Sequence, residues 1–324
     1  MNKTLLQLSR LLAAAALGAA TQVGFAADVN YGVIRGLTTS NLAYDSGLLQ
    51  KKLAAVGHEL KWRGPYGGTP YDALNAGQVD ITFTTSTNAA AVVLGDSRFK
   101  IFGYQAPDLD GEGVWVKKSA GIKTLSDLKG RRIATDRGGS GHHVLLKTLE
   151  KAGLTPKDVQ ISYFDPPEAL AAFNGGQVEA LATWRTFGVS AEARGDGVKL
   201  STGREVGSEN LLIYIVRTDF ADKHPEAVRA VFDALQEAAR QSAAKPEATA
   251  EVWARLGKLP LDGARLLVPP ASRTFEFVTP ALLPTLKNAG DLFVKYGVIP
   301  RSPNYDSFIF DVSKLPSKSV FKVS

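Results

Sequence analysis

A predicted strand, a glycine-rich turn and a predicted helix follow one another between Lys129 and Lys151. The apolar run 132–135 is typical of a strand, and residues 142–151 place apolar side chains on one helical stripe. Residues 136–141 between them read Asp-Arg-Gly-Gly-Ser-Gly. The predicted order in this stretch is therefore strand, glycine-rich turn and helix.

The glycine-rich turn has the features of an anion site. Ser140 is predicted to be the N-cap of the helix, whose first turn carries unpaired N–H groups and a partial positive charge. Gly139 and Gly141 let the backbone come close to a bound group, and Arg137 adds a full charge. We therefore expect the turn to bind a small oxyanion. A tight strand-to-helix connection without a ligand is the alternative that stays open here.

Two other glycine-rich motifs are excluded. The turn is not a nucleotide-binding P-loop, because the Gly-Lys-Ser/Thr ending is missing. It is not the nucleophile elbow of hydrolases, because that motif needs glycine where His142 stands. Ser140 is therefore interpreted as a hydrogen-bond donor rather than a nucleophile.

The composition excludes several kinds of site. The 324 residues suffice for two domains and contain no cysteine, which rules out disulfides, cysteine-ligated zinc and cysteine nucleophiles. The four histidines, two of them adjacent, give little support for a metal site, and neither metal nor cofactor is expected. The formal charge of +6 comes from scattered basic residues. This positive charge is compatible with an anionic small ligand, or it contributes only to solubility. It does not indicate nucleic-acid binding.

Residues 1–26 are predicted to be a signal peptide. Lys3 and Arg10 supply the positive start, and residues 11–20 form a short apolar core. That core is too short to span a membrane. We expect cleavage after Ala26 and a soluble, monomeric protein exported to a bacterial periplasm.

Strands and helices are predicted to alternate after the signal, which favours a parallel sheet with helices on its faces. After Arg185 the chain is polar to Asn210, and no element is predicted there. The remaining predicted strands are 29–34, 59–62, 78–83, 101–105, 113–116, 158–164 and 211–216, and the remaining predicted helices are 41–56, 70–76, 225–244, 248–256 and 280–296.

A weak internal repeat relates two halves of this pattern. Residues 73–80 (ALNAGQVD) and 172–179 (AFNGGQVE) each link a helix to a strand that ends in polar residues. The strand ends are residues 84–87 and 183–186. Since ligands of open α/β sheets bind beyond the carboxyl ends of strands, both ends and the Ser140 turn are expected to face one cleft.

Three segments resemble a known family: residues 121–134 (GIKTLSDLKGRRIA), 149–154 (LEKAGL) and 168–173 (EALAAF). They resemble the periplasmic aliphatic-sulfonate- and taurine-binding proteins of ABC importers. The wider group of these proteins includes nitrate-binding and thiamine-precursor-binding proteins. The likeness covers nearly the whole chain after the signal.

The resemblance implies an α/β type II periplasmic binding fold. Two α/β lobes would be joined by two hinge strands, with a ligand cleft between the lobes. Lobe 1 would comprise residues 27–115 and 214–324, and lobe 2 residues 116–213. The strands near Val114 and Ile213 would be the hinges.

The resemblance also implies a ligand set. The family holds its sulfonate on a Gly-Ser-rich turn, here 138–142, in which Gly141 replaces a second serine of many relatives. The family's Thr/Ser strand end matches 85–87. Its Trp-Asp pair falls on Trp184 and Arg185, so an acid that could pair with taurine's amine is replaced by a base. The complete predicted set is Arg35, Thr38, Thr85, Ser86, Thr87, Gly139, Ser140, Gly141, His142, Trp184, Arg185 and Ser208.

Binding without catalysis is the predicted function. We expect lobe closure to capture an organosulfonate, with its apolar part on Trp184, for delivery to an inner-membrane ABC permease and ATPase in sulfur acquisition. A sulfate ester, nitrate or a thiamine precursor is the alternative ligand, and Arg185 argues against taurine. Two other classes stay open. One is a ligand sensor, and the other is a hydrolase using Ser140 with His142 or His143, which lacks an obvious acid to orient the base.

Overall fold

The computed structural model describes residues 27–92, 98–106, 108–268 and 274–316. The predicted signal peptide lies outside these ranges, and the first strand begins at Ala27, directly after the predicted cleavage site. Among the described residues, no helix combines the length and the apolar character that a membrane span requires.

Strands and helices alternate through most of the described chain, as the sequence predicts. The strands are β1 (Ala27–Ile34), β2 (His58–Tyr66), β3 (Ile81–Thr85), β4 (Phe99–Gln105), β5 (Gly113–Lys117), β6 (Arg132–Thr135), β7 (Gln160–Tyr163), β8 (Ala180–Thr183), β9 (Gly197–Thr202), β10 (Leu212–Arg217) and β11 (Phe275–Phe277). The α-helices are α1 (Thr39–Asp45), α2 (Leu48–Ala54), α3 (Tyr71–Asn75), α4 (Ser86–Val92), α5 (Ser140–Lys151), α6 (Pro166–Asn174), α7 (Arg185–Ala193), α8 (Gly203–Val206), α9 (Thr218–Lys223), α10 (Pro225–Ala244), α11 (Pro246–Gly257), α12 (Leu261–Arg265) and α13 (Leu283–Lys295). Short 3₁₀ helices cover 118–120, 125–128, 156–158, 280–282, 305–308 and 312–314.

The strands form two sheets, one in each lobe. The six-stranded sheet has the order β11-β4-β10-β3-β1-β2, and the five-stranded sheet has the order β7-β6-β8-β5-β9. In the first sheet β1 is parallel to β2 and β3, whereas β10 is antiparallel to β3 and β4. In the second sheet β6 is parallel to β7 and β8. The chain crosses to the second sheet after β4 and returns at β10, which confirms the two-lobed α/β fold.

The six-stranded sheet is buried on both faces, as β10 illustrates. Tyr214 and Val216 point to a cluster that includes the apolar stripe of α10, whereas Ile213 and Ile215 point to a cluster that includes α13. Alternate residues of a strand face opposite sides of its sheet, so a continuous apolar run such as LLIYIV is typical of a strand covered twice. The sheet therefore forms a rigid support for the turns at its edge.

Local chemistry explains one difference from the prediction. The single helix predicted for residues 41–56 is two helices, α1 and α2. Gly47 adopts a left-handed φ of 73°, and the Ser46 hydroxyl donates to the Leu42 carbonyl oxygen at 2.7 Å. Both features end α1 and allow the chain to turn.

The polar stretch between Arg185 and Asn210, in which no element is assigned from the sequence, does contain regular structure. Helix α7, strand β9 and helix α8 occupy this stretch. β9 lies at the edge of its sheet, and Val198 and Lys199 on it are exposed. An edge strand needs little apolar sequence, so this segment lacks the pattern that marks a buried strand.

The pairing of β5 and β10 differs from what the expected lobe boundaries, 115/116 and 213/214, would require. Val114 pairs only with strands of the second sheet, in β5, and Ile213 pairs only with strands of the first, in β10. Neither strand bridges the two sheets. We therefore propose that the crossings lie just before these strands, ahead of Gly113 and of Leu212, rather than within them.

Candidate functional site

Four strand-to-helix turns present polar side chains at the carboxyl edges of the two sheets. β1 leads to α1 and β3 leads to α4 in the first lobe, while β6 leads to α5 and β8 leads to α7 in the second. Within each lobe the two strands of this set are parallel, so their carboxyl ends lie at the same edge. Each turn therefore brings the start of a helix, with its free N–H groups, to the edge where ligands bind in α/β sheets.

At the start of α5, the side chain that faces the free N–H groups is the carboxylate of Asp136, and not Ser140, the predicted N-cap residue. Gly139, not Ser140, is the N-cap, and Ser140 is the first helical residue. Asp136 is buried, and its carboxylate faces the backbone N–H groups of Gly141 and His142, which act to lower its pKa. Burial nevertheless raises the pKa of Asp136 to about 6. Because this carboxylate engages part of the helix start, fewer N–H groups are left for a ligand.

The glycines of this turn are required by that carboxylate. A Cβ atom on Gly139 would lie 1.5 Å from Asp136 Oδ2. A Cβ atom on Gly141 would lie 2.4 Å from Asp136 Oδ1 and 2.5 Å from the Ala182 carbonyl oxygen. All three distances are shorter than any tolerable contact, so a serine at the Gly141 position does not fit this turn.

Ser140 keeps its hydroxyl available. Its side chain is 5% exposed, and the hydroxyl has no hydrogen-bond partner within the described ranges. Gly138 lies against α4 of the other lobe, since a Cβ atom placed there would be 3.0 Å from Ala91 Cβ. The Ser140 turn therefore lies against the last turn of α4, across the two lobes.

His142 is engaged inside the protein rather than free for a ligand. The Gly138 N–H donates to His142 Nδ1 at 3.2 Å, and His142 Nε2 lies 3.3 Å from the Tyr163 hydroxyl. Burial, with Arg137 nearby, lowers the pKa of His142 to about 4. A neutral ring that accepts at Nδ1 must carry its proton at Nε2, so both nitrogens are occupied.

A buried polar group, which we term the crossover cluster, joins the lobes. It consists of Ser86, Thr87, Glu112, His143, Ser208 and Asn210. Asn210 Oδ1 accepts from the Thr87 hydroxyl at 3.0 Å and the Ser86 hydroxyl at 3.3 Å, and Asn210 Nδ2 donates to Glu112 Oε1 at 2.6 Å. The Ser208 hydroxyl donates to Glu112 Oε2 at 3.1 Å. These bonds hold three parts of the chain together: the segment before β5, the segment before β10, and the start of α4.

The three residues of the predicted strand end, 85–87, differ in burial and in their hydrogen bonds. Ser86 and Thr87 are fully buried and belong to the crossover cluster, together with Ser208. Thr85 is partly exposed and bonds locally, to the Thr87 hydroxyl at 3.0 Å and from the Asn88 N–H at 3.2 Å. Thr85 is therefore the member of this strand end that is open to solvent.

The Trp184–Arg185 pair starts α7. Trp184 is half-buried and meets Phe187 edge to face at 5.0 Å, so part of its ring is open. Arg185 makes two hydrogen bonds to Asp108, Nε to Oδ2 at 2.6 Å and Nη2 to Oδ1 at 2.7 Å. The guanidinium is thus paired with an acid of the first crossing segment, which the sequence did not suggest.

The β1–α1 turn differs from its prediction. Arg35 is exposed, and Thr38 is the N-cap of α1, where its N–H and hydroxyl both donate to Asn41 Oδ1. The buried polar residues of this turn are instead Thr39 and Ser40. Thr39 donates to Gln105 Oε1 at 3.0 Å, and Ser40 lies 2.7 Å from the Tyr31 hydroxyl.

Sequence reasoning missed Asp136, Glu112 and Asp108, which organise the site. An acid between a strand and a glycine-rich turn was a visible signal for Asp136, since a carboxylate there lies next to free N–H groups. Glu112 and Asp108 gave no local signal, because their partners lie 98 and 77 residues away.

The protein has two α/β lobes, the chain passes twice between them, and strand-to-helix turns lie at the carboxyl edges of both sheets. This is the type II periplasmic binding fold. The chain belongs to the NMT1/THI5-like family, whose model matches residues 66–249. The crystal structure of the periplasmic aliphatic sulphonate binding protein SsuA from Escherichia coli superposes with a TM-score of 0.78. Its sequence is 25% identical, and the match covers 92% of this chain and 96% of that one.

Two curated relatives from Escherichia coli (strain K12) are also similar. The "Putative aliphatic sulfonates-binding protein" is 26% identical over 281 residues, 86% of this chain and 87% of the relative. The "Taurine-binding periplasmic protein" is 30% identical over 201 residues, 61% of this chain and 60% of the relative. Both relatives are named as binding proteins.

Proposed function

We propose that this protein is the periplasmic substrate-binding component of an ABC importer and that its ligand is an organosulfonate. The observation that carries the proposal is the Ser140 hydroxyl, which is nearly buried yet unpaired within the described ranges, at the start of a helix that faces α4 of the other lobe. The names of the similar proteins support the ligand class. The word "periplasmic" in the names of similar proteins supports an exported protein, and delivery to a permease and ATPase is part of the proposal.

The sulfonate is proposed to sit between the two lobes. Its oxygens accept from the Ser140 hydroxyl and the N–H groups of Gly139 and Ser140, which are not among the donors to Asp136. Thr85 adds a hydroxyl from the first lobe, and the open part of the Trp184 ring receives the apolar portion of the ligand. Lobe closure then selects the form that a permease recognises.

The geometry disfavours a hydrolase. A serine nucleophile needs a base within hydrogen-bond reach that a third group orients. His142 bonds Gly138 and Tyr163, and His143 Nδ1 lies 3.4 Å from Ser208 rather than at Ser140. We therefore retain binding as the proposed activity.

A thermal-shift panel tests the ligand class. The chain from Ala27 onward is heated with alkanesulfonates, taurine, aryl sulfonates, sulfate esters, nitrate, sulfate and a thiamine precursor. A ligand at a hundredfold its Kd adds about 2.7 kcal/mol of stability. Stabilisation by sulfonates supports the proposal, while stabilisation only by nitrate or only by the pyrimidine keeps the fold and refutes the ligand.

Ser140→Ala tests the site. Removing the hydroxyl should weaken sulfonate binding by about 1–3 kcal/mol, which is about 5- to 150-fold in Kd. Titration calorimetry measures the loss. Ser190→Ala is the matched control, because Ser190 is exposed on α7 and its hydroxyl bonds the Thr186 carbonyl at 2.8 Å. Equal affinity of both variants would place the sulfonate elsewhere.

A further inference from the structure

Two histidines and a glutamate from distant parts of the sequence meet at the surface of the first lobe. His58 starts β2, His224 precedes α10, and Glu226 lies in the first turn of α10. His58 Nε2 is 2.9 Å from Glu226 Oε1, and His224 Nδ1 is 3.8 Å from the same oxygen. One ligand atom from each residue lies within 4.8 Å of the other two. Imidazole nitrogens and a carboxylate oxygen are the donors that zinc uses in proteins.

The hydrogen bonds of His58 determine which of its nitrogens can bind a metal. His58 Nδ1 is 3.0 Å from the Ala27 carbonyl oxygen, which can only accept, so Nδ1 carries a proton. A neutral His58 would then aim the lone pair of Nε2 at a carboxylate oxygen 2.9 Å away. Two acceptors do not face each other at this distance unless a cation lies between them. That cation is either a proton on Nε2 or a metal ion.

Features around the three residues favour a metal ion. The carbonyl that holds Nδ1–H of His58 is the partner that metal-bound histidines usually have, because it fixes the tautomer and the direction of the ring. The His58 side chain is fully buried, whereas those of His224 and Glu226 are 24% and 41% exposed. A metal ion could therefore enter from solvent, and a water molecule could complete its coordination.

We propose that His58, His224 and Glu226 form a binding site for a divalent transition-metal ion, with zinc as the best match. Zinc–ligand distances of about 2.0–2.2 Å require only a small separation of Nε2 and Oε1 and a rotation of His224. The ion would join the first residues of β1 and β2 to the start of α10, since His58 also bonds Ala27. This proposal differs from the expectation of no metal, which considered the four histidines without their neighbours in the fold.

Zinc titration tests the proposal. Chelator-treated full-length mature protein is titrated with ZnCl₂ in a calorimeter, and one ion per chain is expected. His224→Ala and Glu226→Gln, which change the two partly exposed ligands, should each weaken zinc binding by at least about tenfold, the scale expected even for loss of a partner that only orients a ligand. Cobalt replacing zinc should give the visible absorption of a four-coordinate site.

Glu59→Gln is the matched control. Glu59 follows His58 on β2 and is exposed, but its carboxylate pairs with Lys61 and not with the cluster. Zinc affinity should be unchanged in this variant. The proposal is overturned if the unchanged protein binds no zinc, or if either ligand variant binds zinc as tightly as Glu59→Gln does.

Discussion

Asp136 decides which groups of the glycine-rich turn are left for a ligand. Its carboxylate faces the N–H groups of Gly141 and His142, so these two groups are not part of the anion site that we propose. The anion site proposed at this turn therefore has fewer N–H donors than the sequence suggests. A ligand there depends on one hydroxyl and on the N–H groups nearest it.

Gly141→Ser should destabilise the protein instead of adding a ligand donor. The new Cβ would lie 2.4 Å from Asp136 Oδ1, and such overpacking costs about 1–3 kcal/mol. Urea unfolding measures the change. Gly67→Ala is the control, because no atom lies within 4 Å of a Cβ there and its φ is not left-handed. Unchanged stability with tighter sulfonate binding would show that the turn accommodates a second serine.

Arg185→Gln should lower stability and leave the ranking of sulfonates unchanged. The variant removes the bidentate bond to Asp108, in which both side chains are mostly buried, at a cost of about 1–3 kcal/mol. Arg204→Gln breaks a similar but exposed pair with Asp110 and should lower the free energy of unfolding far less, because water screens that pair. A gain in taurine binding by Arg185→Gln would instead show that the guanidinium faces the ligand.

At the scale of elements, α5 carries both the proposed anion site and part of the contact between lobes. The rings of His142 and His143 pack on Phe293 of α13, with centroids 5.7 and 6.2 Å apart. Glu150 at its other end pairs with Lys295 and accepts from the Tyr296 hydroxyl at 3.1 Å. The helix is therefore fixed against the first lobe along its length.

The histidines of α5 should make the protein less stable in acid. Burial lowers the pKa of His142 to about 4 and of His143 to about 3, below the ordinary 6.5. The unfolded chain then binds more protons, so stability is present above pH 6.5 and falls as the pH drops towards 4. Asp136 has the opposite effect on stability between pH 3.8 and about 6, because its pKa is raised on folding. The gain from this one carboxyl does not offset the loss of stability from the two imidazoles.

Urea unfolding at a series of pH values measures this dependence. His143→Gln should reduce the slope between pH 6.5 and 4, because it removes the group with the larger shift. A stability that rises on acidification in this range would mean that Asp136 dominates.

At the scale of the whole molecule, the crossover cluster links the lobes where the chain passes between them. Asn210→Ala should destabilise the protein by about 1–3 kcal/mol, because Ser86, Thr87 and Glu112 each lose a buried partner. It should also weaken sulfonate binding, since the start of α4 loses its support. Unfolding and calorimetry test both effects.

Asn88→Ala is a suitable comparison for that variant. It changes a partly exposed asparagine of α4 that lies outside the cluster. If Asn210→Ala is no more destabilising than Asn88→Ala, the cluster does not hold the crossings together.

The sequence by itself determined the α/β class, most strands and helices, the two-lobed family fold and the Ser140 turn. These follow from local apolar periodicity and from short motifs, which neighbouring residues carry. Only the tertiary structure decided the partners of these residues. Arg185 meets Asp108 across 77 residues, Asn210 meets Glu112 across 98, and His58 meets Glu226 across 168. Such pairings depend on how the sheets bring distant segments together, and no local pattern encodes them.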